Sequence, residues 1–171
     1  MKRFFLIVVF AILGGCAAEQ PSDKSTFSSP EYSFSFFYPS DWKEVTQDLP
    51  NKWAIVDENS DAILFTVNSA QVDNIALLGN FQAIRDLYQV ENYTGLSPDK
   101  MDAISKIVKI EQFNGREFYT YAIDFKDKGV QSLISGTLCN GKEVTIVLVT
   151  QAETAAEKTM VYSDLLNSFT C

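Results

Sequence analysis

Apolar and polar residues alternate in Tyr32-Ser33-Phe34-Ser35-Phe36-Phe37-Tyr38, which puts Tyr32, Phe34, Phe36 and Tyr38 on one side of an extended chain and predicts a first strand. Pro39-Ser40-Asp41 turns the chain, and residues 42–46 lead away. Two further strand-like runs, 52–57 and 62–67, flank Glu58-Asn59-Ser60-Asp61, a turn-rich hairpin connection. Over 80–91 the period changes. Phe81, Ile84, Leu87 and Tyr88 fall on one helical face, Leu77 extends that stripe backwards, and Gly79 leaves the start open. Ser97-Pro98-Asp99 has the form of an N-cap with proline in the first turn and predicts a short helix to about Ser105.

The clearest pattern follows. Runs 106–113, 116–126, 130–139 and 142–151 are rich in Val, Ile, Thr and aromatics, and are parted by Asn114-Gly115, Asp127-Lys128-Gly129 and Asn140-Gly141. Asn-Gly between alternating runs signals a type I′ hairpin, because both residues accept positive φ. The four runs predict an antiparallel meander. In the second of them Tyr119, Tyr121, Ile123 and Phe125 share one face, and Phe118, Thr120, Ala122 and Asp124 share the other. Thr154-Ala155-Ala156-Glu157 has the form of a capping box, followed by a helix with Val161, Tyr162, Leu165, Leu166 and Phe169 on one side. The pattern is α+β: one domain over 30–171, an antiparallel sheet with a four-strand C-terminal meander flanked by helices.

The N-terminus is of another kind. Lys2 and Arg3 precede an uncharged apolar run from Phe4 to Leu13, then Gly14-Gly15-Cys16. The run is too short for a transmembrane helix, which needs about 20 apolar residues, and Ala11-Ile12-Leu13 is a poor small-x-small cleavage site. Leu13-Gly14-Gly15-Cys16 resembles the lipobox of prokaryotic lipoproteins. The resemblance implies a signal peptide over 1–15, cleavage before Cys16, acyl chains such as palmitate on Cys16, and an anchor in a membrane of the cell envelope on its non-cytoplasmic side. Polar residues without periodicity follow, and 16–29 reads as a flexible tether.

Composition narrows the chemistry. The full chain carries a formal charge of −8, and losing Lys2 and Arg3 with the signal makes it two units more negative. Such a surface argues against nucleic acid and suits a basic partner or a cation. There are no histidines, which removes the commonest general base, the Ser-His and Cys-His pairs and the commonest zinc ligand. No Gly-x-Ser-x-Gly elbow and no phosphate-cradling glycine loop occurs, so no catalytic residue and no cofactor is assigned. Asp124 with Glu117 or Glu143 is the one carboxylate pairing considered for acid–base work. Asp57, Glu58 and Asp61 gather carboxylates that calcium could use, though their spacing matches no EF-hand and an acidic hairpin tip is the ordinary reading. Tyr38, Trp42 and Trp53 are candidates for a ligand or partner surface, against the plainer reading of core aromatics.

Three cysteines are present, Cys16, Cys139 and Cys171. With Cys16 lipidated, two remain in an exported domain. A strand over 142–151 carries the chain about 33 Å from the Asn140-Gly141 turn, at ~3.3 Å per residue. The last helix returns about 24 Å at ~1.5 Å per residue, and Thr170 and Cys171 can span much of the remainder. Cys139 and Cys171 are therefore a disulfide candidate, with two free buried thiols as the alternative.

Tyr32-Ser33-Phe34-Ser35-Phe36-Phe37-Tyr38-Pro39-Ser40-Asp41-Trp42-Lys43 resembles the opening of the PsbP-like family, with its aromatic strand, Tyr-Pro pair and Trp. The order of elements agrees through to the closing Leu165-Leu166-Asn167-Ser168-Phe169. The resemblance implies an α/β/α sandwich and, from members that are photosystem extrinsic subunits, nuclear GTPase-binding factors and envelope lipoproteins, a domain that binds other proteins. The metal-binding histidines of some photosystem members have no counterpart here. The expectation is a non-enzymatic, membrane-anchored lipoprotein that binds or supports a membrane-associated protein; the alternative is a small-ligand or cation-binding lipoprotein.

Overall fold

The computed structural model describes residues 23–46, 51–88, 101–104, 108–125 and 128–171. They form strands β1 (Lys24–Ser29), β2 (Phe34–Pro39), β3 (Lys43–Thr46), β4 (Lys52–Val56) and β5 (Ala62–Gln71), helix α1 (Asn74–Tyr88), strands β6 (Met101–Ile104), β7 (Lys109–Phe113), β8 (Arg116–Phe125), β9 (Val130–Cys139) and β10 (Lys142–Gln151), and helix α2 (Ala155–Ser168). The main sheet is antiparallel in the order β3-β4-β5-β10-β9-β8-β6, with β7 sharing the outer side of β8; β1 and β2 form a separate hairpin.

The meander is present as read. Asn114 and Gly115 have φ of 49° and 75°, and Asn140 and Gly141 have φ of 51° and 75°, so both tight turns use the left-handed region that Asn-Gly permits. β8 is buried on both faces. Phe118 lies in one core with Phe65, Ile146, Leu165 and Phe169, while Tyr119, Tyr121 and Ile123 lie in a second with Leu77 and Phe81. α2 and the β1–β2 hairpin cover the first face and α1 the second. This is the α+β sandwich with helices on opposite sides of one sheet.

Four expectations are corrected. Lys24–Ser29 lies within the segment read as tether, yet it is a strand paired with β2 in register Phe27↔Phe36. Its polar sequence hides one anchor, Phe27, whose ring lies 4.6 Å from Phe65 and 5.1 Å from Phe36. The domain therefore begins near residue 23, not 30. The first helix starts at Asn74 instead of 80, because Asp73 accepts from the Ala76 amide at 2.7 Å through its side chain and from the Leu77 amide at 2.9 Å through its carbonyl. The side chains of Ile84, Leu87 and Tyr88 lie outside the described ones. The short helix expected up to Ser105 is contradicted at Met101–Ile104, a strand on the edge of β8; residues 97–100 and 105 are outside the described range. Pairing with an open strand edge overrides the local proline signal there.

The capping box does not form. Thr154 makes no side-chain bond to the helix amides. Its hydroxyl lies 3.2 Å from Asp61 Oδ2 and 3.1 Å from Thr150 Oγ1, while Glu157 turns to the Lys158 ammonium at 3.6 Å. A buried carboxylate, Asp61 at 1% exposure, takes the hydroxyl that the helix end would otherwise use.

Candidate functional site

The aromatic candidates belong to the core. Tyr38 and Trp42 are buried and Trp53 is half-buried. The Tyr38 hydroxyl donates to Glu44 Oε1 at 2.7 Å, and burial together with that carboxylate raises its pKa. Trp53 stacks on Phe65 at 5.7 Å. No open aromatic cleft forms from these three, because their alternation feeds the face under α2 and the hairpin.

The acidic candidates are also structural. Asp57 Oδ1 accepts from the amides of Asn59 and Asp61 at 2.8 and 2.9 Å, closing the β4–β5 turn. Asp61 accepts the Gln151 amide at 3.0 Å and the Thr154 hydroxyl, joining that turn to the start of α2. Glu58 is exposed at the tip. The cation beside Asp57 is the chain's own Lys158, whose Nζ lies 2.8 Å from Asp57 Oδ2, with the two side chains 9% and 4% exposed. The same ammonium sits 5.3 Å from the Trp42 ring centroid. Burial alone would raise the Asp57 pKa and lower that of Lys158. Their mutual attraction, with the two backbone donors on Asp57, outweighs burial and holds Asp57 below and Lys158 above their ordinary values. A lysine thus stands where a metal was considered. The sequence signal for it was a charged residue at 158, one turn ahead of Tyr162 in the apolar stripe of α2.

Asp124 does not pair with Glu117 or Glu143. It lies on the α2 side of the sheet and accepts Gln131 Nε2 at 2.6 Å. Glu117 and Glu143 face the α1 side, where they take the Tyr119 hydroxyl at 2.5 Å and Asn80 Nδ2 at 3.2 Å. Burial and the Glu117 carboxylate push the Tyr119 pKa up to about 12.

Cys139 and Cys171, expected as a disulfide or as two buried thiols, are neighbouring free thiols, the first buried and the second exposed. Cys16 lies outside the described residues.

A groove on the α2 side of the sheet was not read from the sequence. α2 covers the centre of its sheet face and leaves the β7–β8 margin open. A groove of about 250 Å3 runs there between Thr159, Tyr162, Ser163 and Leu166 of α2 and the strands. Its floor carries Thr120, Ser135, Leu133 and Ala122; its outer wall is Lys109, Glu111 and Phe113 of β7. Glu111 Oε2 accepts the Thr120 hydroxyl at 2.5 Å, and the Tyr162 hydroxyl donates to the Ile146 carbonyl at 2.8 Å. Burial raises the Tyr162 pKa, so the phenol stays protonated. Among the described residues β7 has no strand on its outer side, and Ile110, in that edge strand opposite Tyr119 and so on the α1 face and not in the groove, is 55% exposed. An edge of this kind can take an extended segment, with a side chain entering the groove.

No curated protein matches this chain in sequence. Solved structures match it in fold. Cyanobacterial PsbP (CyanoP) from Synechocystis superposes with a TM-score of 0.58 at 16% identity, covering 92% of this chain and 98% of that one. A Bacteroides thetaiotaomicron protein gives 0.56 at 16% identity over 88% of this chain and 48% of its own. LpqN of Mycobacterium tuberculosis, described as involved in cell envelope biogenesis, gives 0.51 at 11% identity over 90% and 86%. At these identities the likeness is one of fold. The PsbP family model matches residues 22–171, from just before β1 to the last residue, and the chain belongs to the PsbP family.

Proposed function

We propose that the protein is a lipid-anchored, non-enzymatic subunit of the cell envelope whose PsbP domain docks on a membrane-associated protein. The observation that carries this reading is an arrangement along the chain: the family match begins at residue 22, a few residues after the lipobox-like Leu13-Gly14-Gly15-Cys16. Two acyl chains at Cys16 give a stable anchor, since each buried methylene contributes about 0.8 kcal/mol. The description of LpqN, as a protein of envelope biogenesis, is consistent with that address. The non-enzymatic part rests on the absence of histidine and on the buried acids described above, which are engaged in turns, strand contacts and the Lys158 pair.

The docking surface in this reading is the β7 edge with its groove, and the occupant is an extended, basic segment of the partner, suited to an acidic domain. A photo-crosslinking residue at Ile110, in cells with the native anchor, should capture one dominant membrane protein. The same probe at Ile75, exposed on α1, should not. Cys16→Ser should abolish the capture. Equal labelling from both positions, or none from Ile110, would sink the reading. The groove also favours a second one, a small amphipathic ligand held between Leu166 and the polar floor; a compound that raises the melting temperature and loses its effect in Ser135→Val would support it.

A further inference from the structure

The last residues tie the β1–β2 hairpin to the rest of the molecule. Among the described residues that hairpin shares no strand pairing with the main sheet. Thr170 exchanges both backbone hydrogen bonds with Ser35 of β2 at 2.9 Å, the Phe37 amide donates to Ser168 Oγ at 2.8 Å, and Phe169 stacks on Phe34 at 5.5 Å. Beyond this strap lies Cys171. Its thiol donates to the Leu138 carbonyl at 3.9 Å, which places it beside Cys139, the last residue of β9. Arg116 fixes both segments, with Nη1 on the Leu138 carbonyl at 2.8 Å and Nη2 on the Cys171 carbonyl at 3.3 Å. The Cys139 thiol also faces the carbonyls of Tyr32 and Ser33, in the turn between β1 and β2, at 3.6 and 3.7 Å.

We propose that Cys139 and Cys171 are a modification site: a dithiol that closes to a disulfide and locks the C-terminal strap across the hairpin. The oxidant is a disulfide, either of low molecular weight or carried by a thiol oxidoreductase. Cys171 is exposed and attacks first, forming a mixed disulfide and releasing one donor thiol. Cys139 then attacks the Cys171 sulfur and the second donor thiol leaves. One donor disulfide is reduced to two thiols, the two protein thiols are oxidised, and their protons pass to the leaving thiolates. Burial first, then the neighbouring Cys171, pushes the Cys139 pKa up to about 12, which assigns it the resolving role. The proposal does not depend on what the domain binds or on its anchor.

The test uses the full chain in detergent with Cys16→Ser, so that only these two thiols remain, titrated with reduced and oxidised glutathione. Alkylation followed by mass spectrometry should show both thiols lost together, with the two peptides linked. The melting temperature should rise by about 5–10 °C on oxidation, and amide exchange at Ser35 and Thr170 should slow. Adding Cys171→Ser, an exposed change that leaves the fold intact, should abolish the rise. A stable glutathione adduct on Cys171 with Cys139 still open to alkylation after unfolding, or equal melting temperatures in both buffers, would overturn the proposal.

Discussion

Gly136 sits in the middle of β9, where the ring of Phe81 descends from α1. A Cβ built there would meet Phe81 Cζ at 2.0 Å, closer than any side chain tolerates. The missing side chain is therefore the socket that seats α1 on the sheet. Gly136→Ala should destabilise the domain by roughly 1–3 kcal/mol through overpacking, read as a shift of the urea midpoint. Pairing it with Phe81→Leu should lose less than the sum of the two single changes. At the opposite end, Lys158→Met would leave Asp57 as a buried, uncompensated carboxylate at a cost of about 3–5 kcal/mol. Adding Asp57→Asn keeps the acceptor for the turn amides and should recover part of it. The pH dependence follows from the shifts. Asp57 is depressed, so its share of stability is present above the unfolded carboxylate value and fades as pH falls through the lower folded value. Lys158 is raised, so its share is complete below the unfolded ammonium value and fades only above it. Denaturant midpoints of the native chain and of the double variant should converge in acid, below about pH 4.

At the scale of elements, α1 contains an internal glycine with no packing reason. A Cβ at Gly79 would meet nothing within 4 Å, so Gly79→Ala should stabilise the domain by about 0.5–1 kcal/mol through helix propensity, measurable as a raised thermal midpoint. That glycine is also why the helix start was misplaced from sequence: it obscured a cap at Asp73 that lay six residues upstream. Elements were legible where two local signals agreed. The meander had alternation and Asn-Gly turns together, and the run 32–38 leading into β2 had four aromatics on one side, all of which are buried. They were illegible where a contact made far along the chain decided the outcome. β1 is a strand because Phe27 reaches Phe65, and Met101–Ile104 is a strand because β8 offers an edge. The capping box was lost to Asp61, a residue about ninety positions away. The candidate site followed the same rule. Tyr38, Trp42, Trp53 and the Asp57 cluster were visible as residue types, but their roles depended on Glu44, Lys158 and the aromatic core. The groove, which is a gap left by the position of α2, had no local signature at all.

For the whole molecule, the position of β1, from Lys24, matters more than any single contact. Cys16 and the first residue of β1 are eight positions apart, so a chain anchored at Cys16 reaches at most about 28 Å, at ~3.5 Å per residue. In the lipid-anchored reading proposed above, a leash that short would confine the domain to a thin layer at the membrane and give a membrane partner a high effective concentration of it. Contacts across β7 need then be only weak ones, in keeping with an edge five residues long and a groove of modest size. Inserting about twenty Gly and Ser residues after Ala18 preserves the anchor and every contact in the domain, while letting the domain explore a much larger volume. Crosslinking from Ile110 should then fall several-fold, with the melting temperature unchanged. Undiminished crosslinking would mean that affinity at the docking surface, and not tethering, holds the partner, and the surface sought would have to be larger than the β7 edge and its groove.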